Sequence, residues 1–170
     1  MRTSMLSGLD RQALEHAART TVAATVSLAA ARVLGLPEAH WAAISTMVVT
    51  QSTLGAALTV SGRRFAGTAL GASVAALLVA EFGSSMWVFA AGVFGLGLVC
   101  ALCRLDRAAY RFAGITLAIV LVSRHAPAWI IGAHRFFEVS LGIAAGLVMT
   151  ALWPERNIRP SPGTKRIGGR

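Results

Sequence analysis

The sequence predicts an all-α membrane protein of six transmembrane helices, arranged as a 3+3 inverted repeat with both termini in the cytoplasm, and three observations carry that expectation. The first is composition. Of the 170 residues, 55% are hydrophobic and 14% charged, with a mean hydropathy of +0.65, which leaves too little polar surface to coat a soluble globule of this size. The second is a series of six apolar runs punctuated by turn-forming residues. The third is an internal echo: Trp41-Ala42-Ala43-Ile44-Ser45 aligns with Phe112-Ala113-Gly114-Ile115-Thr116, and Arg64-Phe65 through Leu70-Gly71 aligns with Arg135-Phe136 through Leu141-Gly142, both at an offset of 71 residues.

Residues 1–16 carry Arg2, Asp10, Arg11, Glu15 and His16, so they read as an amphipathic cytoplasmic lead-in and not as the apolar region of a cleavable signal. Capping-box spacing in Ser7-Gly8-Leu9-Asp10 sets a helix start there. The transmembrane domain covers 17–153. Its first span, 17–36, ends at the turn Gly35-Leu36-Pro37-Glu38, its second, 41–59, at Ser61-Gly62, and its third, 65–80, at Phe82-Gly83-Ser84-Ser85. The fourth, fifth and sixth spans are 86–103, 108–123 and 136–153. At about 1.5 Å per residue the third and fifth cover only about 24 Å, so they borrow flanking residues or thin the bilayer. Residues 124–133, with Pro127 and Trp129, either extend a Pro-kinked helix or lie in the interface. The tail 154–170, rich in Pro, Gly and basic residues, builds no core and reads as disordered and cytoplasmic.

Orientation follows from the arginines. The N-terminal segment (Arg2, Arg11, Arg19), the connection with Arg63 and Arg64, the connection with Arg104, Arg107 and Arg111, and the tail hold 13 of the 16 basic residues. All four regions fall on one side of a six-span topology, which the positive-inside rule makes cytoplasmic. With three helices per unit, the second copy enters the membrane upside down relative to the first, a layout that puts binding sites at the repeat interface. Expected surroundings are therefore a lipid bilayer crossed several times, with both termini in the cytoplasm.

Other classes fit poorly. The net charge of +9 is spread between apolar runs and forms no basic face, which excludes a nucleic-acid partner. Cys100 and Cys103 sit in an apolar run with no further soft ligands at metal spacing, so no metal is expected. No nucleophile stands near a base, no phosphate loop follows a strand, and no carboxylates are paired at catalytic spacing. Neither an enzyme nor a cofactor is expected.

The run from Gly35 to Leu77 resembles the fusaric acid resistance protein-like family, which includes the aromatic acid exporters. The resemblance rests on the Gly35-Leu36-Pro37 turn, Trp41 opening the second helix, Gly55, Arg64 followed by Gly67-Thr68 and Leu70-Gly71, and the later Arg111 and Arg135…Leu141-Gly142; it covers about 15–153. It implies a transporter or channel subunit for small organic carboxylate anions, aromatic ones among them, working in efflux. Longer members carry more than this one six-helix unit, so a homodimer is expected, with a periplasmic accessory protein as a further partner. A second class stays open: a non-transporting membrane scaffold or accessory subunit of a larger efflux assembly.

A carboxylate cargo needs fixed positive charge on a wet path, because a bare anion in hydrocarbon is prohibitively costly. Arg64 and Arg135 open equivalent helices, where the helix dipole also favours an anion; the alternative is a positive-inside charge for Arg64 and a snorkelling charge for Arg135. Arg32, about three turns into the first span, is a further candidate, as are Arg111 and Gln51. Trp41 serves as an interfacial anchor or as a stacking surface for an aromatic cargo. Glu138, one helical turn after Arg135, forms a structural ion pair with it or takes part in coupling, and His40 is a second coupling candidate. Thr46, Thr50, Ser52 and Thr53 line a path or bond a neighbouring helix.

Overall fold

The computed structural model describes the backbone of residues 3–51, 53–123 and 125–153, with side chains from residue 13 onward. Ser52, Arg124, the cap expected from the Ser7 and Asp10 side chains and the tail expected over 154–170 lie outside the described residues. Among the described residues there are six α-helices and no strand: α1 (Thr3–Val33), α2 (His40–Val49), α3 (Leu54–Phe82), α4 (Met86–Leu102), α5 (Arg107–Val122) and α6 (Ala128–Leu152). Two of them, α3 and α6, are long and apolar enough to cross a membrane.

The boundaries of α4 and α5 fall within one residue of the sequence reading, and side-chain caps explain why. Ser85 accepts the Val88 N–H at the start of α4, and Asp106 accepts the Ala109 N–H at the start of α5, each meeting a donor that the first turn leaves unpaired. Gly83, at φ +71°, ends α3 in a conformation that favours glycine. Of segment 124–133, residues 128–133 are helical: Pro127 holds the N-cap position of α6, which starts at Ala128 and carries the exposed Trp129 in its first turn.

Two expectations are corrected. There is no turn at Ser61-Gly62; both lie inside α3, where Ser61 is buried and a methyl group at Gly62 would meet nothing within 4 Å. A helix-interior glycine costs only about 1 kcal/mol, which packing overrides. The break falls earlier. Thr50 turns extended (ψ 101°), α2 ends after ten residues, and Thr53 accepts the Ala56 N–H to start α3. Arg64 and Arg135 consequently sit in the interiors of α3 and α6, not at their N-termini. The helix expected to start at Ser7 begins instead at Thr3, and it runs unbroken into the first apolar segment, to Val33.

Small residues line the closest helix contacts, and many large apolar side chains face outward. Ala42, Ala57, Ala75 and Ala113 are fully buried, whereas Leu77, Trp87 and Phe94 are each more than two-thirds exposed. Close backbone approach adds to the packing of larger buried side chains such as Leu96 and Leu117, as expected where lipid is the solvent. A methyl group at Gly67 would lie 2.3 Å from the Ala109 carbonyl oxygen and one at Gly71 2.3 Å from that of Ala113, so α3 and α5 run side by side in the same direction. Gly142 against the Ala42 carbonyl and Gly146 against Val49 place α6 along α2 in the same way. The two long helices instead run antiparallel, with Phe65 edge-on to Phe136 and Ala72 against Gly132.

Candidate functional site

Of three apolar clusters among the described residues, that of Ala31, Ala39 and Ala42 joins α1 to the start of α2, and the other two lie on either side of a charged layer. One gathers Ala75, Leu96, Leu117, Val120 and Ile131 from α3 to α6; the other gathers Val49, Ala57, Val139 and Ile143 from α2, α3 and α6. Along α3 the boundary falls at Arg64, between Ala57 and Ala75. Along α6 it falls at Arg135 and Glu138, between Ile131 and Ile143. All three side chains are buried, Arg64 to 7% exposure, Arg135 to 2% and Glu138 to 0%.

Each guanidinium lies on an aromatic ring from the first turns of a short helix. Arg135 stacks on Trp41 of α2 with its central carbon 3.5 Å from the ring centroid, and Arg64 lies over Phe112 of α5 at 4.9 Å. Such contacts stabilise by about 0.5–2 kcal/mol each, more as water is excluded. Trp41 and Phe112 are the aligned pair 71 residues apart, as are Arg64 and Arg135. Arg64 also donates from Nε to Ser45 Oγ (3.1 Å), and Ser45 donates to the Trp41 carbonyl (2.7 Å). The two cations are thus tied to consecutive turns of α2.

Acids complete the layer. Trp41 Nε1 donates to Glu38 Oε2 (3.0 Å), which lies 3.9 Å from Arg135 Nη1. Glu138 does not form the expected ion pair with Arg135 at contact distance; the carboxylate within 4 Å of Arg135 is that of Glu38. Glu138 Oε1 accepts the Glu38 backbone N–H (2.8 Å), one of the donors left open where the chain enters α2, while its Oε2 and Arg135 Nε and Nη1 have no hydrogen-bond partner. A buried cation and a buried anion with unused donors and acceptors are expensive to hold, and the stacked rings and the Glu38 contacts offset only part of that expense.

Of the residues singled out from sequence, Arg64, Arg135, Trp41 and Glu138 come together here. His40 is exposed, with its ring 5.3 Å from Trp41 at the edge of the cluster. Arg32 is exposed in the last turn of α1, not three turns inside a span, and Arg111 is exposed on α5. Gln51 turns back to donate to the Val48 carbonyl. Trp41 is half-buried and packs on Arg135. Glu38, Ser45 and Phe112 were visible in the sequence as a turn acid and two repeat positions; their convergence on the arginines comes only from the pairing of α2 with α6 and α5 with α3. Arg19, assigned to the cytoplasmic charge count, is instead buried and donates to the Trp153 carbonyl (2.8 Å) and the Gln51 carbonyl (3.0 Å), joining the α2–α3 break to the end of α6. Arg63 is half-exposed and pairs with Asp106, the α5 cap.

Residues 23–149 match the fusaric acid resistance protein-like family. The chain belongs to that family. Among curated proteins, the fusaric acid resistance-like chain is 33% identical over 149 residues to the uncharacterized transporter YdhK of Escherichia coli strain K12, and 31% identical over 152 residues to that of Salmonella typhimurium. Each alignment takes in 82% of this chain and 22% of the relative, so the chain spans about a fifth of the length of these proteins. No solved structure matches it. The matched segment contains every residue of the buried charge layer, so the layer belongs to the portion this chain shares with its family.

Proposed function

We propose that this six-helix unit is a membrane transporter or channel subunit for organic carboxylate anions, aromatic ones included, that it works in efflux across a bacterial inner membrane, and that it does so as a homo-oligomer. The single observation that carries the reading is the pair of buried guanidiniums, Arg64 and Arg135, stacked on Phe112 and Trp41 at the junction of two apolar clusters. Fixed cations deep in an apolar bundle lower the cost of an anion there, and the unused donors on Arg135 have hydrogen-bonding capacity for one. Family membership and relatives named as transporters support the same reading.

The architecture proposed with it is an inverted repeat of α1–α3 and α4–α6. Contacts exchange under the 71-residue offset: Gly71 with Ala113 answers Gly142 with Ala42, Arg64 with Phe112 answers Arg135 with Trp41, and Phe65 touches its own counterpart Phe136. Antiparallel α3 and α6 fit a pseudo-two-fold axis lying in the membrane plane, with the arginine layer near mid-depth.

Reconstituted into liposomes, the protein should carry benzoate down its gradient, and Arg64→Ala and Arg135→Ala should each cut that flux at least tenfold while assembling normally. Variants that assemble and transport as well as the parent would remove the arginines from the mechanism.

A further inference from the structure

We propose that the Glu38 side chain is a tethered stand-in for the transported carboxylate, holding the Trp41–Arg135 site until an incoming anion displaces it; this rests on the carboxylate reading above. Glu38 Oε2 accepts the Trp41 indole N–H at 3.0 Å and lies 3.9 Å from Arg135 Nη1. Those are the donors a cargo carboxylate would seek in this layer. The contact to Arg135 is too long for a hydrogen bond, and Arg135, at 2% exposure, keeps Nε and Nη1 without a partner. A carboxylate that moved in closer could accept from Arg135 Nη1, making the charge-assisted hydrogen bond that Glu38, at 3.9 Å, does not make.

Glu38 is built to leave. Its backbone N–H is pinned by Glu138 Oε1 (2.8 Å), but its side chain is 26% exposed and lies in the 34–39 connection directly after Pro37. The backbone therefore stays while the carboxylate swings toward solvent. Arg64, Arg135, Glu38 and Glu138 balance with their charges intact, and removing the Glu38 carboxylate from the group leaves one positive charge. A monocarboxylate restores the balance charge for charge, so the layer selects singly charged cargo. An aromatic ring on that cargo would reach the neighbourhood of the Trp41 and Phe112 faces.

The test is uptake of radiolabelled benzoate by liposomes containing the 170-residue chain, measured across concentration for the parent, Glu38→Gln and Glu38→Asp. Glutamine keeps an acceptor for Trp41 without the competing charge, and KM for benzoate should fall about tenfold with the saturating rate little changed. Aspartate, one methylene shorter, cannot span to Trp41 as glutamate does, and its KM should fall between the two. Transport by the parent with an unchanged or raised KM in Glu38→Gln overturns the stand-in role and leaves the carboxylate reading standing. Uptake by Glu38→Gln but not by the parent supports a stand-in that binds too tightly to be displaced. Uptake by none of the three, with all three eluting as the same assembled species, overturns both.

Discussion

Replacing Gly142 with alanine puts a methyl group where α6 meets the backbone of α2. The new carbon would lie 2.2 Å from the Ala42 carbonyl oxygen and 2.6 Å from Ser45 Cβ. Even a close carbon–oxygen contact needs about 3.3 Å, so the helices must part by roughly 1 Å. No flexible side chain can turn away, because the obstacle is main chain. Overpacking of this kind costs about 1–3 kcal/mol, and the upper end applies where two helices shift together. Gly71→Ala, 2.3 Å from the Ala113 carbonyl oxygen, meets the same obstacle in the other half and should cost the same within about 1 kcal/mol. Gly95→Ala on α4, with nothing within 4 Å, is the control and should gain up to about 1 kcal/mol from helix propensity. Unfolding in mild-detergent micelles titrated with a denaturing detergent, followed by circular dichroism, gives all three values on one scale. Gly142→Ala unfolding at or beyond the midpoint of Gly95→Ala would refute the close-packed reading of α2 on α6.

Two other substitutions test how the ends of the bundle are held. Asp106→Ala removes both the α5 cap and the partner of Arg63 and should cost about 1 kcal/mol, nearly all of it from the cap; Asp106→Asn, which can still cap, should stay within a few tenths of the parent in the same titration. Arg19→Met keeps the apolar stem but leaves the Trp153 and Gln51 carbonyls without their donor, so it should cost about 2–3 kcal/mol and speed hydrogen exchange at the α2–α3 break.

The sequence made α4 and α5 legible because their starts are written in single side chains, Ser85 and Asp106, that cap the helix they precede. The α2–α3 break was misplaced for the converse reason. Ser61-Gly62 has the composition of a turn, but a helix packed on both sides absorbs one glycine, while Thr53, which by composition lines a path or bonds a neighbouring helix, is the cap of α3. That one shift moved Arg64 from a helix start to a helix interior. Within the site, Arg64, Arg135, Trp41 and Glu138 were identifiable as charge or aromatic character in apolar surroundings. Glu38 and Ser45 were not, because their part depends on which helix lies against which. Arg19 failed for a related reason: a charge count by segment cannot distinguish a solvated arginine from one buried on two carbonyls.

Gly67 and Glu138 occupy matching places in the 71-residue offset, and so do the residues they meet, Ala109 and Glu38. On one side a glycine lets α3 close directly onto the Ala109 carbonyl; on the other a buried acid fills the space and takes the Glu38 N–H. Two identical opposed halves would offer an ion the same energy profile from either face of a membrane. A glycine in one half answered by a glutamate in the other ends that equivalence.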